Sequence, residues 1–264
     1  MPNDILLDLA RGMILDMLVF ICYLMLLVGL RVLYLLLMVA ILCNNMKIKR
    51  FLNVPVPSNT YIVINGRRCV VIDPGSKKQD EVRDYIQNNG YSLDFIILTH
   101  EHFDHCWGVN YLLDYFNPKV IATRLCAEWI QIPQNYFNKL YYNSEEMYSV
   151  KQIDLTVEDI GMQLFWNDKI INFIDAKGHT NRGMCIEIDD CLFTGDTILF
   201  NTIPFLKKRY GASKEDLYNT ISKIFKIYPS NMKVFPGHGE CFILGEMQFF
   251  YKEYFQRNID VWHC

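Results

Sequence analysis

Histidine is scarce in this chain, with only 6 among 264 residues. The 9 cysteines include no C-x-x-C pair, which favours a reducing compartment over a disulfide framework. The net charge is −3 and the basic residues are scattered, so nothing indicates a nucleic-acid partner. No short repeat or low-complexity linker interrupts the chain. Its length therefore suits one large domain with a substantial core.

Three of the histidines lie within one heptapeptide, residues 99–105, which reads Thr-His-Glu-His-Phe-Asp-His. The apolar run 95–98 before it predicts a short buried strand. Side chains alternate along extended backbone, so His100 and His102 are expected on the same side just beyond the strand end. A turn after them would direct Asp104 and His105 towards a second point nearby. Imidazole and carboxylate together suit zinc, iron or manganese, so the heptapeptide predicts a metal site.

Four more candidate site residues each follow an apolar run and lie beside a glycine or a turn. His179 is in Gly-His-Thr, Asp196 in Gly-Asp-Thr and His238 in Pro-Gly-His. Asp73 is in the segment Ile-Asp-Pro-Gly, residues 72–75. A glycine next to each distant ligand lets the backbone turn sharply and approach a metal.

This ordered set of motifs resembles the metallo-β-lactamase superfamily. The shared features are H-x-H-x-D-H, G-H-T, G-D-T and P-G-H in that order, after an early aspartate–glycine strand end. Any one motif alone is weak, but the ordered set is specific. The resemblance covers the chain from about Met46 onwards. It implies an α/β (α+β) fold, the four-layer αββα sandwich, with the metals at one edge between two sheets.

The resemblance also implies two metal ions, zinc first and iron or manganese as alternatives, on either side of one shared aspartate. The implied ligands are His100, His102 and His179 for one ion, Asp104, His105 and His238 for the other, and Asp196 as the bridge. A hydroxide shared by the two ions would attack the substrate, with Asp104 orienting it.

Several neighbouring residues receive other assignments. Asp73 is a candidate hydrogen-bond partner that orients a ligand imidazole. Glu101 alternates away from the ligands and is not expected to be one. Arg182 either contacts the substrate or closes a turn. Cys106 either lies near the metals or packs at a helix start.

The leading functional hypothesis is a dinuclear hydrolase of the glyoxalase-II-like branch, acting on an ester, thioester or similar small electrophile. Many true β-lactamases have a cysteine at the Asp196 position, which disfavours penicillin hydrolysis. Only about 26 residues follow His238, so a glutathione thioester is disfavoured as substrate. One alternative is a mononuclear iron dioxygenase acting on persulfides, which would use His100, His179 and Asp196. Another is a non-catalytic metal-binding scaffold.

The N-terminus is almost entirely apolar over residues 13–43, interrupted only by Asp16 and Arg31. This predicts an apolar helix long enough to span a bilayer, which takes about 20 residues. Lys47, Lys49 and Arg50 follow it, so the expected orientation is N-out and C-in, with a cytoplasmic catalytic domain. The alternative is a misassigned start, with Met46 as the true beginning. Either way the predicted division is residues 1–45 and 46–264.

The rest of the pattern predicts alternating strands and helices. A hairpin with an Asn-Gly turn is expected over residues 61–72, and helices over 79–89 and 107–116. Two hairpins are expected over 164–194. Further helices are expected from Ser213 to about Tyr228, with Asp216 near the capping-box position, and from Gly245 to about Asn258. The aromatic-rich segment 123–161 either overhangs the site or packs in the core, and the basic run 207–209 either attracts an anionic substrate or is a solvated loop.

Overall fold

The computed structural model of this chain describes residue 17 and residues 23–26, 28–32, 46–158 and 161–259. Within these residues, no helix is long and apolar enough to cross a membrane. This finding contradicts the predicted span over residues 13–43, and the N-out orientation and localisation derived from that span fall with it. Most of residues 13–43, including most of the predicted apolar helix, lie outside the described residues. Contacts divide the chain between Met46 and Lys47, and the assignment of 1–45 and 46–264 as separate domains stays a prediction.

The described strands form two six-stranded sheets, ordered β1-β2-β3-β4-β5-β6 and β12-β11-β10-β9-β8-β7. The strands are β1 Lys47–Leu52, β2 Asn59–Asn65, β3 Arg68–Ile72, β4 Ser92–Ile97, β5 Lys119–Thr123, β6 Leu155–Val157, β7 Gln163–Trp166, β8 Lys169–Asp175, β9 Met184–Ile188, β10 Cys191–Gly195, β11 Lys233–Pro236 and β12 Phe242–Ile243. The helices are α1 Asp80–Asn88, α2 Phe103–Cys106, α3 Val109–Leu113, α4 Arg124–Ile130, α5 Tyr136–Tyr142, α6 Lys214–Ile227 and α7 Leu244–Ile259, with a 3₁₀ turn at Lys208–Tyr210.

The predicted hairpin is present, but its turn comes one residue later than the Asn-Gly pattern indicates. Asn65 pairs with Arg68, so the turn residues are Gly66 and Arg67, and Gly66 has φ +64°. The Asn65 side chain is buried and donates a hydrogen bond to Asp168 Oδ1 at 2.5 Å. This tertiary contact keeps Asn65 in the strand.

The predicted helix over 107–116 is shortened to α3, Val109–Leu113, and Trp107 and Gly108 separate it from the short helix α2 that precedes it. The Gly108 N–H donates to the carbonyl of Pro74 at 2.7 Å rather than within a helix. A Cβ at Gly108 would lie 2.6 Å from the Ser76 carbonyl oxygen. The close approach of the loop after β3 therefore breaks the helix. The later prediction of a helix capped by Ser213 is confirmed, since its hydroxyl accepts from the Asp216 N–H at 3.1 Å.

Each sheet is covered by helices on its outer face, which gives the predicted αββα order of layers. One buried cluster joins the first sheet to α1, α3 and α4, for example Ile96 with Val82 and Leu112. A second cluster joins the other sheet to α6 and α7, through residues such as Ile221 and Tyr251. Between the sheets, the Tyr61 ring packs edge-on against the rings of two facing strands, Phe193 and Phe235, with centroids 5.5 Å away in both cases. The core therefore lies in three apolar layers.

Strand direction brings the candidate site residues to one edge of the sandwich. β3 and β4 are parallel, as are β10 and β11, and two antiparallel pairings bring β8 into the same direction as β10. The residues that follow these five strand ends therefore meet at a common edge. They are Asp73 after β3, residues 99–105 after β4, His179 after β8, Asp196 after β10 and His238 after β11.

Candidate metal centre

Three imidazoles converge at the first half of the site. His102 Nδ1 lies 3.0 Å from His100 Nε2 and 3.0 Å from His179 Nε2. The carboxylate of Asp196 completes this group, with Oδ2 at 3.5 Å from His179 Nε2 and 4.0 Å from His100 Nε2. One ligand atom from each of the four residues lies within 4.8 Å of the others, close enough to surround one metal ion.

A second group forms beside the first around Asp104, His105 and His238. Asp104 Oδ2 lies 3.2 Å from His238 Nε2 and 3.7 Å from His105 Nε2. Asp196 borders this group too, with Oδ2 at 3.4 Å from His238 Nε2 and Oδ1 at 3.6 Å from His105 Nε2. The structure thus brings all seven predicted ligands together, with Asp196 between the two groups.

Asp73 orients ligands on both sides of the centre, directly and through Thr99. Its Oδ2 accepts a hydrogen bond from the His105 imidazole Nδ1 at 2.9 Å and from the Thr99 hydroxyl at 2.6 Å. Because that hydroxyl donates to Asp73, it is free to accept from His100 Nδ1, 3.0 Å away. Both imidazoles then carry a proton on Nδ1 and turn a free Nε2 towards the site. Asp73, predicted to be a hydrogen-bond partner of a ligand imidazole, lies at hydrogen-bond distance from His105 Nδ1. Thr99 was not among the predicted residues, although it directly precedes the first ligand.

The backbone supplies two more constraints. The His238 Nδ1 lies 3.0 Å from the carbonyl oxygen of Pro57, which fixes its proton there and leaves Nε2 free. Gly237 lies against the site, since a Cβ there would be 2.3 Å from Asp196 Oδ1 and 2.6 Å from His105 Cε1. A side chain at this position would push the second group apart.

The electrostatics differ between the two halves. Burial lowers the pKa of His102 to about 3 and lowers that of His100 well below its usual value, with neighbouring imidazoles adding to the effect. Burial also acts to lower the pKa of His105, but the charges of Asp196, Asp104 and Asp73 outweigh it and raise the pKa to about 9. One half is therefore neutral imidazole, and the other is rich in negative charge.

This donor set fits divalent metal ions. The buried His105 Nε2 and Asp196 Oδ1 face each other and have no hydrogen-bond partner among the described residues. Such unpaired buried polar atoms are costly unless a partner satisfies them. A cation between them would do so, and nitrogen and oxygen ligands of this kind suit zinc, iron or manganese.

Glu101 and Arg182 form a buried ion pair instead of serving the site directly. Arg182 Nη1 lies 3.1 Å from Glu101 Oε1, and the two side chains are 15% and 0% exposed. The Thr180 hydroxyl donates to Glu101 Oε2 at 3.0 Å. Burial raises the pKa of Glu101, although the charge of Arg182 opposes this. Glu101 points away from the ligands, as expected, and the predicted substrate role of Arg182 stays a prediction.

The remaining candidates lie around the centre. Phe137 of the aromatic segment stacks on Phe103 at 4.7 Å between ring centroids, so this part packs beside the ligand-bearing loop. The basic run continues into Tyr210, whose ring edge approaches the His102 ring with centroids 4.5 Å apart. Cys106 is buried, and burial raises the pKa of its thiol well above the usual value.

The profile of the metallo-beta-lactamase superfamily matches residues 53–238, which contain every residue of the two metal-ligand groups. The chain belongs to the metallo-beta-lactamase superfamily. Within it, the probable polyketide biosynthesis zinc-dependent hydrolase BaeB of Bacillus velezensis is 31% identical over 182 residues, or 67% of this chain and 71% of that protein. A hydroxyacylglutathione hydrolase of Francisella tularensis is 29% identical over 208 residues, or 77% of this chain and 71% of that protein.

The fold comparison agrees with this membership. The crystal structure of BLEG-1 B3 metallo-beta-lactamase has a TM-score of 0.69 and 21% identity, and the match covers 77% of this chain and 97% of that chain. The superfamily fold predicted from the motifs is therefore confirmed. The related sequences are named as hydrolases, which supports an enzyme of this superfamily.

Proposed function

We propose that this chain is a dinuclear metallohydrolase that cleaves an ester, thioester or similar small electrophilic substrate. The observation that carries the proposal is the position of Asp196. Its Oδ2 lies 3.5 Å from His179 Nε2 in one group and 3.4 Å from His238 Nε2 in the other. A carboxylate shared in this way suits a bridge between two ions better than a ligand to one.

Each side chain has a proposed task. His100, His102 and His179 hold the first ion, and Asp104, His105 and His238 hold the second. Two dications held there would lower the pKa of water to near neutrality and polarise the carbonyl that is attacked. The Asp104 carboxylate would orient the attacking water by accepting its hydrogen bond. We propose zinc because the donors are nitrogen and oxygen atoms, and because one relative is named as zinc-dependent.

A side-chain nucleophile is disfavoured by the state of the nearest thiol. Cys106 is 2% exposed, and its pKa is raised well above the usual value by burial. A protonated and buried thiol is inert, since the thiolate is the nucleophile. Its Sγ instead lies 3.8 Å from the Glu101 carbonyl oxygen, in a structural contact.

The dioxygenase hypothesis would use only part of the constellation. His100, His179 and Asp196 belong to one group and would suffice for a single iron. It leaves Asp104, His105 and His238 without a task, although their ligand atoms also lie within 4.8 Å of one another. The dinuclear hydrolase therefore accounts for more of the site.

Metal analysis and hydrolysis assays on the same purified protein test the proposal. We expect about two zinc ions per chain, and turnover of a member of an acyl-thioester and aryl-ester panel that is lost with a chelator and restored with zinc. His102→Ala and Asp196→Ala should abolish that turnover, whereas Cys106→Ala should retain most of it. About one iron per chain with oxygen uptake on a persulfide would replace the hydrolase with the dioxygenase. Metal-loaded protein that hydrolyses no member of the panel and takes up no oxygen with a persulfide would favour the non-catalytic metal-binding scaffold.

A further inference from the structure

His102 differs from His100, His105 and His238 in how its ring is held, and its outer nitrogen, like that of His179, has no hydrogen-bond partner among the described residues. The outer nitrogens of His100, His105 and His238 each lie at hydrogen-bond distance from an acceptor. The outer nitrogen of His102, Nε2, is buried and has no hydrogen-bond partner among the described residues. Nothing polar in that part of the chain therefore fixes the rotation of this imidazole.

Among the described ring contacts of His102, the one to a residue that is not a ligand is with Tyr210. The two ring centroids are 4.5 Å apart and the planes are at 76°, an edge-to-face arrangement. Aromatic pairs favour this geometry, so the contact resists rotation of the imidazole. Tyr210 lies on the 3₁₀ turn Lys208–Tyr210, far from His102 in sequence. Contacts other than the one with His102 must therefore hold this turn beside the ligand.

Besides the Asn181 N–H, which donates to the Tyr210 carbonyl oxygen at 3.2 Å, that support comes from Arg182. Its Nη1 donates to the carbonyl oxygen of Tyr210 at 3.2 Å and to Glu101 Oε1 at 3.1 Å. Its guanidinium carbon lies 4.4 Å from the ring centroid of Trp129, within cation–π distance. Glu101 is the residue between His100 and His102, so the ion pair ties the 3₁₀ turn back to the metal-ligand segment itself.

We propose that Tyr210 is a positioning residue for His102, and that the Glu101–Arg182 ion pair holds Tyr210 in place. This inference rests on the proposed role of His102 as a ligand of the first ion. Packing takes the place of the hydrogen bond that orients His100, His105 and His238. Loss of the Tyr210 ring therefore weakens the first ion selectively, because the ligand ring that Tyr210 contacts belongs to the first group.

The test measures the affinity of each metal site in the full chain by competition with a chromophoric zinc chelator. Tyr210→Ala should weaken the first site about 10–100-fold, the usual effect of removing a group that orients a ligand, and leave the second site unchanged. Tyr210→Phe is the matched control. It loses the hydrogen bond from Arg209 Nη2 to the tyrosine hydroxyl, 2.6 Å, but keeps the ring, so both affinities should remain at the wild-type level.

The cobalt-substituted protein supplies a second readout that needs no activity. The visible absorption bands of Co²⁺ report ligand geometry, so Tyr210→Ala should shift the bands of the ion held by His100, His102 and His179, whereas Tyr210→Phe should not. Arg182→Lys should give the same shift to a smaller degree. A lysine keeps the charge for Glu101 but lacks the planar guanidinium that lies against the Trp129 ring. Arg124→Ala, which breaks the exposed pair with Glu128, is the control for loss of an arginine.

Equal affinities in Tyr210→Ala and the wild type would overturn the inference while leaving the proposed function intact. So would an equal loss at both sites, since that indicates general loosening of the fold. If Tyr210→Ala does not fold, the metal affinities of Arg182→Lys replace it in the test. Unchanged affinities, or an equal loss at both sites, would again overturn the inference. A wild-type chain that binds no metal would instead remove the proposed function, and this outcome is visible before any variant is made.

Discussion

Replacing Asp73 by asparagine should disturb both ions at once, because this carboxylate determines the tautomers of two ligands. Oδ1 accepts from the Thr99 N–H at 2.7 Å, and Oδ2 accepts from the Thr99 hydroxyl and from His105 Nδ1. An asparagine that keeps its oxygen towards the Thr99 N–H must turn its NH₂ group towards the other two donors. Three groups that all donate would then meet at one point.

The conflict can be relieved only by moving protons. The Thr99 hydroxyl can accept from the new NH₂ group, but it then donates to His100 Nδ1. That imidazole must carry its proton on Nε2, which points into the metal site. His105 faces the same choice, since its Nδ1 can accept from the NH₂ group only if Nε2 is protonated. In both cases a proton occupies the position of the metal-binding lone pair.

The expected magnitude follows from the hydrogen bonds that Asp73 accepts. Hydrogen bonds to a charged acceptor contribute about 1.5–3 kcal/mol each, and the two at Oδ2 would have to reverse their direction. Part of this loss appears in folding stability and part in metal binding. We expect each ion to bind about 10–100-fold more weakly, which corresponds to about 1.4–2.7 kcal/mol per site.

Chelator competition gives the two affinities, and nitrogen-15 spectra of the metal-free protein identify the tautomer of His100, which stays neutral because burial lowers its pKa. Asp94→Asn is the control, because that carboxylate is largely buried and accepts from Arg68 and Trp166, away from the centre. It should lower stability without changing metal affinity. Wild-type affinity at both sites in Asp73→Asn would refute the tautomer argument.

Four further results are expected. His238→Ala should bind one ion fewer and lose hydrolysis. In the metal-free protein, carboxylates outweigh burial and raise the pKa of His105 to about 9 and of His238 to about 11. Both values lie above the unfolded value of about 6.5, so this stabilisation is present below pH about 6.5 and is lost as the pH rises through 9 and 11. Thermal unfolding against pH, with chelator, should show that loss. Cys106→Ala should cost about 0.5–1.5 kcal/mol, as for one buried methyl group, and keep activity. A truncated protein that starts at Met46 should fold and bind both ions.

A different result would contradict each of these four predictions. Full activity of His238→Ala with one ion would remove the dinuclear mechanism. A metal-free protein that gains stability between pH 7 and 11 would reverse the assigned charge states. Inactivation by Cys106→Ala equal to that of a ligand variant would restore a thiol mechanism. A Met46-truncated protein that fails to bind metal would make residues 1–45 part of the folded unit.

The sequence alone was sufficient for the superfamily and the order of layers, and it named the seven side chains that the structure brings together. These depend on local information, because an apolar run predicts a strand and the residue after it lies at the sheet edge. His100, His179 and Asp196 could therefore be assigned to one site without coordinates. The apolar N-terminus shows the limit of such patterns, since hydropathy over residues 13–43 predicted a membrane span that the structure does not bear out.

Only the tertiary structure determined what supports the ligands. The Pro57 carbonyl and Tyr210 reach the centre from segments that carry no motif of their own. Thr99 lies in the heptapeptide, but its hydrogen bond to Asp73 joins distant loops and leaves no periodic pattern in a sequence. The break at Gly108 and the one-residue shift of the hairpin turn have the same origin, because a neighbouring segment approaches the backbone there. The Glu101–Arg182 pair is the clearest case. Each residue alone is an ordinary charge, and burial against the other segment gives the pair its structural role.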